Sequence, residues 1–442
     1  MREELLQGIR GWMEEKENLF IGDIRRLVEI PSVSVEGDGE DPYGKDCSRV
    51  LEVMRQMARD RGFPGEILEN RCMEICWGEG EKELGIWGHL DVVPEGKGWV
   101  YPPYACTCKD GFLIGRGVQD NKGPVMAVFY ALWYLKEQGF EPGIRIRQIL
   151  GCQEEAGMTD VDAYLRIRRA PDYSVVSDCS FPVCYGEKGI FTATLLTPPL
   201  SGRFSEFSGG TVRNSVPVKA RARMDGMWYD GEGIAGHAAF PEGTKNALAV
   251  LCGMLLEAGQ DREDARVLKS LRHLCGDGYG REIGLPEGST CNVGCVRMQG
   301  QQLRIELDIR YPVNERGDGI LEMLRAFAGE NGFQILRYED SKPNLFPPES
   351  GFVQTLIKAY RRVTMDGRSP YIMGGGTYAR KIPNAVGFGP GMEADMRILG
   401  LPEGHGGCHS ADEAQSLKNL KLAVEIYAAA IADVSRWLRE EM

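Results

Sequence analysis

The sequence predicts an α/β fold in two domains: one with a mainly parallel β-sheet flanked by helices, and an inserted α+β domain with an antiparallel sheet. The chain has 442 residues, 43% of them hydrophobic, which is enough for two cores. The first part alternates apolar strand-like runs with helical patterns, as α/β domains do. Residues from about 187 to 342 alternate apolar and polar side chains instead, as half-exposed antiparallel strands do.

The elements of the first part follow from the spacing of its apolar residues. Helical spacing predicts helices over residues 1–30 and 46–61. Three later runs are typical of buried strands: ELGIWGHLDVV, IRIRQILGCQEE and YSVVSD. Between the first two of these runs, residues 121–138 form a strongly apolar helical pattern that Gly139 closes. Strand and helix thus alternate, which predicts a largely parallel sheet.

The alternation of apolar and polar residues from about 187 to 342 predicts a separate domain. We expect strands at FTATLLT, VKARARMDG and QLRIELDIRYPV, and helices at NALAVLCGMLLEAG and GILEMLRAFAGENG. This α+β domain is assigned to residues 187–342, inserted into a first domain of residues 1–186 and 343–442. The segment GFVQTLIKAYRRV and residues 414–440 are predicted to be the helices that complete the first domain.

Charge and cysteine usage exclude several classes of function. The net charge of −12 argues against nucleic acid or an anionic membrane as the main partner. The N-terminus is charged throughout and lacks the apolar stretch of a signal peptide, and the sequence has no run of about 18 apolar residues. The 13 cysteines include no C-x-x-C pair, so neither a zinc ribbon nor a thioredoxin motif is indicated. We expect a cytoplasmic protein with reduced thiols.

Polar side chains concentrate where the predicted strands end and in one loop before the last helix. In parallel sheets, ligands bind beyond the carboxyl ends of the strands. Only five histidines occur in the chain, and the segments concerned contain three of them. These segments are Gly88–Asp91 (GHLD), Gly115–Gly123 (GRGVQDNKG), Gly151–Gly157 (GCQEEAG), Ser177–Asp178 (SD) and Gly404–Glu413 (GHGGCHSADE).

Each segment offers a role in metal chemistry and a plainer structural alternative. Residues i and i+2 of a strand point the same way, so His89 could be a metal ligand whose ring Asp91 orients. A purely structural His-x-Asp pair is an equally good interpretation. Asp120 could bridge two cations or simply cap a helix. Of Glu154 and Glu155, one could bind metal while the other acts as a base, or both could form a solvated turn. Together these residue types suit zinc, or manganese or cobalt where carboxylates dominate.

The motifs in this order resemble those of the M20 metallopeptidases, over nearly the whole chain. The segments that carry the resemblance are GHLDVVP, GRGVQDNKGP, GCQEEAG and SD. Four further segments are similar to the PepV-like dipeptidase branch, namely GGTVRNSVP, GHAAFPEGTKNA, LDIRYPV and GGGTYAR. The resemblance implies a hydrolase that cleaves the amide bond of dipeptides or small peptides, with two divalent metal ions in the first domain and a lid in the second.

Site residues follow from the resemblance position by position. It implies that His89, Asp120 and Asp178 bind one metal, and that Asp120, Glu155 and His409 bind the other. The ions would be Zn²⁺, with Mn²⁺ or Co²⁺ as alternatives. Asp91 would orient His89, Glu154 would be the general base, and the peptide bond after Asp120 would be cis.

The inserted domain is expected to supply the remaining groups. By resemblance, His237 stabilises the oxyanion, Asn214 and Arg310 hold the substrate, and the backbone at Gly375, Gly376 and Thr377 lies near the substrate carboxylate. In dimeric relatives the lid histidine comes from a second subunit, whereas the enlarged lid of the dipeptidase branch supplies it within one chain. The length of the inserted domain therefore predicts a monomer.

Some alternatives stay open at this point. His405, which precedes His409 in the same loop, could be the last ligand instead, although the spacing of His409 to the final helix matches the family better. Cys152, Cys179 and Cys408 lie close to predicted ligands and could contribute a thiolate. A deacylase of N-acyl amino acids is the alternative enzyme, and a non-catalytic peptide-binding protein is the alternative from another class. A carboxylate near the substrate amine would favour a dipeptidase over a deacylase, and failure to take up divalent metal would favour the binding protein.

Overall fold

A computed structural model of the chain describes residues 8–37, 39–259 and 261–441, and these residues form two compact units. Unit 1 consists of the described residues up to Tyr185, Phe346–Tyr371, and the described residues from Thr377 onward. Unit 2 consists of Gly186–Leu345 and Ile372–Gly376. Each unit has a hydrophobic core of its own.

The helices are α1 Ile9–Val28, α2 Lys45–Asp60, α3 Lys122–Glu137, α4 Thr159–Ile167, α5 Ala247–Glu257, α6 Arg262–Cys275, α7 Gly317–Asn331, α8 Gly351–Thr364 and α9 Leu417–Glu440. The strands are β1 Gly65–Leu68, β2 Cys72–Trp77, β3 Glu83–His89, β4 Thr107–Lys109, β5 Phe112–Ile114, β6 Arg145–Gly151, β7 Tyr173–Val176, β8 Cys184–Glu187, β9 Gly189–Leu196, β10 Phe204–Gly209, β11 Lys219–Met224, β12 Met227–Glu232, β13 Thr290–Gln299, β14 Gln302–Tyr311, β15 Gln334–Ser341, β16 Asn344–Leu345, β17 Tyr371–Met373, β18 Ala385–Gly387 and β19 Ala414–Ser416.

Unit 1 is built on a mixed sheet whose central strands are parallel. The strand order is β1-β2-β6-β3-β7-β18-β8, and β6, β3, β7 and β18 run parallel to one another. Every residue of β3 is buried, which is typical of a parallel strand covered on both faces. A small antiparallel sheet, β19-β5-β4, belongs to the same unit.

Helix α3 lies in the core of unit 1, between α1 and α9. Its residues are apolar on all sides, and a helix of that kind is stable only when it is buried all round. Helix α3 begins at Lys122, directly after Asp120 and Asn121. Burial of the helix therefore fixes the position of these two residues relative to the sheet.

Unit 2 contains an antiparallel sheet of seven strands in the order β12-β11-β10-β13-β14-β9-β15. Alternation along β11 is regular, with Ala220, Ala222 and Met224 buried and the basic residues between them exposed. The buried side chains form one apolar face of the sheet, which packs against α5, α6 and α7. Asp261 caps the N-terminus of helix α6, because its carboxylate accepts the N–H groups of Glu263 and Asp264.

The predicted fold class is confirmed, with several corrections to the predicted elements. The helix predicted over residues 1–30 is present from Ile9 to Val28, and its first seven residues lie outside the described ones. The strand predicted to end between His89 and Asp91 ends at His89, within the predicted range, whereas the one predicted to reach Glu155 ends at Gly151. The last helix begins at Leu417 rather than 414, because residues 414–416 pair with β5. The missed elements include helices α4 and α6 and the antiparallel strands β1 and β2, of which β1 forms the edge of the sheet.

Within the described ranges, no helix combines the length and the apolar character needed to cross a membrane.

Candidate metal centre

The carboxyl ends of the central strands of unit 1 bring the predicted ligands together. His89 is the last residue of β3 and pairs in register with Gly151, the last residue of β6. Trp87 on β3 pairs with Val176, the last residue of β7. The segments that leave β6 and β7 at this edge carry the glutamate pair and Asp178. Parallel register thus places three separate segments of sequence at one site.

His89 is fully buried and is held on both sides of its ring. Its Nδ1 lies 3.0 Å from the backbone oxygen of Asp91 and 3.3 Å from Oδ1 of the same residue. Its Nε2 lies 2.9 Å from Oδ1 of Asp120 and 3.7 Å from Oδ2 of Asp178. Asp91 is also fully buried, and its two oxygens accept the N–H groups of Glu154 (3.2 Å) and Glu155 (3.1 Å). Asp91 therefore contacts both the first histidine and the glutamate turn.

Asp120 lies between the two histidines. Its Oδ1 faces His89, and its Oδ2 lies 3.1 Å from Nε2 of His409. The same nitrogen of His409 is 3.0 Å from Oε1 of Glu155. The peptide bond between Asp120 and Asn121 is cis, as predicted. The two carboxylate oxygens of Asp120 thus point to two different groups of donor atoms, which is the arrangement required of a bridging ligand.

Among the residues that the structure describes, two groups of possible ligand atoms each lie within 4.8 Å of one another. One contains His89, Asp120 and Glu155, and the other contains His89, Glu154 and Asp178. Neither group coincides with a predicted ligand set: the first combines His89 of one set with Glu155 of the other, and the second includes Glu154, which the resemblance assigns as the base. Glu154 therefore lies close enough to His89 and Asp178 to be a metal ligand as well as a general base.

The pKa values of these groups depend on one another. Burial raises the pKa of Glu154 well above its usual value; the charge of His89 opposes this, and the neighbouring carboxylates add to it. Burial and the charge of Asp120 raise the pKa of Glu155 to about 7. Burial lowers the pKa of His409, but its hydrogen bonds with Asp120 and Glu155 outweigh burial and raise it to about 12. The carboxylates thus hold protons on the imidazoles.

This balance of charge fits divalent cations. The donor atoms are imidazole nitrogens and carboxylate oxygens, which are ligands for zinc, manganese or cobalt. Protons on His89 and His409 offset part of the negative charge, and a bound cation would replace those protons. The residues present therefore fit a dinuclear metal site.

Two buried carboxylates outside the predicted ligand set hold the loops that carry it. Glu413 accepts the N–H groups of Gly117, Gln119 and Asp120. Asp160 accepts the N–H groups of Cys152 and Gln153, both at 2.8 Å, just before the glutamate pair. The sequence analysis assigned neither a role, and an acidic residue in a loop or a first helical turn gives no local signal for one.

Tyr378 and Asn121 were also missed. The Tyr378 hydroxyl donates to Asp160, and its ring packs edge-on against His89 with centroids 6.3 Å apart. A Cβ added at Gly151 would lie 2.1 Å from both the Asp160 and Tyr378 oxygens, so glycine is required there. The Asn121 side chain accepts from the His89 N–H at 3.4 Å and donates to Asp178 Oδ1 at 3.4 Å.

The two histidines of the last loop have different partners. His405 Nδ1 lies 2.6 Å from Oδ2 of Asp412, a buried carboxylate that also accepts the N–H groups of Val100 and Tyr101. His409 has positive φ (61°) and faces Asp120 and Glu155. The structure therefore brings His409, and not His405, to the predicted ligands.

Two of the cysteines near the centre contact backbone carbonyls. Cys152 is buried, and its Sγ lies 3.7 Å from the oxygen of Cys47. Burial raises the pKa of the Cys152 thiol well above its usual value, which disfavours the thiolate. Cys179 Sγ lies 3.5 Å from the oxygen of Ser180.

The predicted oxyanion and substrate residues lie mostly in unit 2. His237 Nδ1 accepts the N–H of Ala239 at 3.1 Å. The backbone oxygen of Asn214 accepts the N–H of Ala238 at 2.8 Å, so Asn214 is anchored to the histidine segment.

Arg310 is buried and makes two hydrogen bonds to Asp308, at 2.5 and 2.9 Å, and one to the oxygen of Gly374 at 3.1 Å. Gly375 and Gly376 also belong to unit 2. Thr377 belongs to unit 1, where its hydroxyl accepts the N–H of Ala379.

Comparison with known protein families decides the assignment. The model of the family described as peptidase family M20/M25/M40 matches residues 85–433. The chain belongs to this family. The predicted family and the prediction of a peptide hydrolase are thereby confirmed, and the matched region spans the strand-end segments and the His409 loop.

Individual relatives agree with this assignment. The chain is 29% identical to the putative dipeptidase YtjP of Bacillus subtilis, over 96% of this chain and 98% of that protein. It is 28% identical to the Beta-Ala-Xaa dipeptidase of Lactobacillus delbrueckii subsp. lactis, over 96% and 97% respectively. Human carnosine dipeptidase 1 has the same fold, with a TM-score of 0.62 and 16% identity over 98% of this chain and 99% of that one.

Proposed function

We propose that this protein is a metal-dependent hydrolase that cleaves the amide bond of dipeptides or similarly small peptides. The observation that carries the proposal is the convergence of His89, His409 and Asp120 with three further carboxylates at the strand ends of unit 1. Relatives of nearly the same length are named dipeptidases, and one is named for β-alanyl dipeptides.

The proposed ligand sets are those that the family resemblance implies, and the contacts of Asp120 with His89 and His409 support them. His89, Asp120 and Asp178 would hold one cation, and Asp120, Glu155 and His409 would hold the other. When bound, the two cations would polarise the scissile carbonyl and lower the pKa of the attacking water. Zinc is the proposed metal, with manganese or cobalt as alternatives, because both nitrogen and oxygen ligands are present.

Glu154 is proposed as the general base. Its carboxylate lies beside Asp178 and His89, where it would accept a proton from water and return it to the departing amine. Asp91 would keep Nδ1 of His89 occupied, so that Nε2 faces Asp120 and Asp178. The hydrogen bonds from the glutamate turn to Asp91 would link the position of the base to that of the histidine.

His237 is proposed to stabilise the oxyanion. Because its Nδ1 accepts a backbone N–H, the neutral ring carries its proton on Nε2 and can donate it. Arg310 and Asn214 are proposed to hold the substrate, together with the backbone at Gly375, Gly376 and Thr377. Of the five N–H groups of the Arg310 guanidinium, three are engaged by Asp308 and Gly374, which fixes the plane of the group.

The test is hydrolysis of a small panel by metal-stripped protein to which Zn²⁺ or Mn²⁺ is added back separately. The panel holds free dipeptides, one of them β-alanyl, their N-acetylated forms and a tripeptide. Metal-dependent cleavage of the free dipeptides is the expected result. Cleavage of only the N-acyl compounds would make the protein a deacylase, and no cleavage with either metal would favour a peptide-binding protein. A monomeric state and a cytoplasmic location also remain predictions, which sedimentation and cell fractionation would test.

A further inference from the structure

Glu413 is a fully buried carboxylate that belongs to neither proposed ligand set and is not the proposed base. It lies in the loop after His409, far in sequence from the Asp120 segment, yet its side chain binds that segment. Burying a charged carboxylate is costly unless its oxygens are fully satisfied, so its contacts show what it does.

Both carboxylate oxygens of Glu413 accept hydrogen bonds. Oε1 accepts the N–H groups of Gln119 at 2.8 Å and Asp120 at 3.0 Å, and it shares the N–H of Gly117 at 3.1 Å with Oε2. Oε2 also accepts Nη1 of Arg116 at 2.6 Å. One side chain therefore binds the backbone at three of the four residues that end at Asp120.

The partners of Glu413 are themselves fixed. Arg116 is 1% exposed, its guanidinium lies 5.3 Å from the Trp99 ring centroid, and it also donates to the oxygen of Glu95 at 3.4 Å. Gly117 has a φ of +93°, which lets its N–H and those of Gln119 and Asp120 point to one anion. The loop therefore has the form of an anion-binding turn whose anion is the carboxylate of Glu413.

We propose that Glu413, held by Arg116, is a positioning residue for Asp120. It fixes the backbone from which the Asp120 carboxylate extends between His89 and His409, and so sets the distance between the two halves of the metal centre. The metal part of this inference rests on the proposed function. The backbone part, the order that Glu413 imposes on residues 117–120, does not.

Glu413→Gln is the most selective perturbation. The substitution retains the shape of the side chain but replaces one acceptor oxygen by an NH₂ group. That group must face either backbone N–H groups or Arg116, which are hydrogen-bond donors themselves. Loss of a group that orients a metal ligand typically weakens metal binding about 10–100-fold. We expect a loss of that size in metal affinity, and a fall in kcat with little change in KM.

Glu83→Gln is the matched control. Glu83 is also buried and paired with an arginine, Arg147. It begins strand β3, whose last residue is His89, so at about 3.3 Å per residue it lies roughly 20 Å from that ligand. Both variants remove a buried carboxylate–arginine pair of unit 1, but only Glu413→Gln touches the Asp120 loop.

The measurements are calorimetric titration of metal-stripped protein with Zn²⁺ and with Mn²⁺, and hydrogen exchange of the 117–120 amides without metal. Glu413→Gln should show weaker metal binding and faster exchange at these amides, whereas Glu83→Gln should show neither. Equal metal affinity in the two variants would overturn the positioning role, as would unchanged exchange at 117–120. If wild-type protein binds no metal, the proposed function fails, and amide exchange still decides whether Glu413 orders the loop.

Discussion

Asp91 is the residue whose substitution best tests how the centre is supported. In Asp91→Asn one oxygen can still accept the N–H of Glu154 or Glu155, but the NH₂ group cannot accept the other. The variant therefore loses one hydrogen bond to a charged group, worth about 1.5–3 kcal/mol, and leaves a backbone N–H unpaired. It also removes the charge that lies 3.3 Å from Nδ1 of His89.

The expected result is metal affinity reduced about 10–100-fold, or about 1.4–2.7 kcal/mol, because the orientation of His89 is less well fixed. A lower kcat should accompany it, since Asp91 also binds the turn that carries Glu154. Calorimetric metal titration and initial rates on a free dipeptide give the two quantities.

Asp433→Asn is a suitable control, because Asp433 pairs with Arg362 at 2.9 Å between α9 and α8, away from the strand ends. Metal affinity and kcat of Asp91→Asn equal to those of this control would refute the role given to Asp91.

Three further predictions concern the ligands and the base. Glu154→Gln should lower kcat by about 10²–10⁴-fold while metal uptake, measured by elemental analysis, stays at the wild-type level; loss of one metal equivalent would make Glu154 a ligand instead. His409→Ala should lose one metal equivalent in the same assay and His405→Ala should lose none, because His405 contacts Asp412 and His409 contacts Asp120; the reverse pattern would show that the wrong histidine was chosen. Stripping the metal should lower the thermal unfolding midpoint, since metal at about 100 times its Kd stabilises the folded state by about 2.7 kcal/mol. Identical calorimetric midpoints with and without metal would argue against a site that forms only in the folded chain.

Much of the fold could be predicted from the sequence because its signals are local. The apolar helix α3 and the buried strands β3, β6 and β7 are recognisable from runs of neighbouring residues. The element ends were less accurate, because pairing with distant segments sets them. Ala414–Ser416, for example, reads as the start of a helix but pairs with Phe112–Ile114.

The sequence by itself determined which residue types are available for the centre and their order along the chain. His89, Asp91 and Asp120 stand in segments that each allow a structural interpretation but that together, and in their order, predict a metal site and the family. Each segment is local in sequence, and the combination and order of the segments along the chain need no knowledge of the fold.

Only the tertiary structure decided which groups support that centre. Glu413 meets Asp120 across nearly 300 residues of chain, Asp160 binds the backbone before the glutamate pair, and His405 pairs with Asp412 while His409 faces the ligands. These contacts depend on hydrogen bonds between segments that only the folded sheet brings together. In the sequence, an acidic residue that is buried against backbone N–H groups looks the same as one that is solvated. Its role therefore follows from where the fold places it.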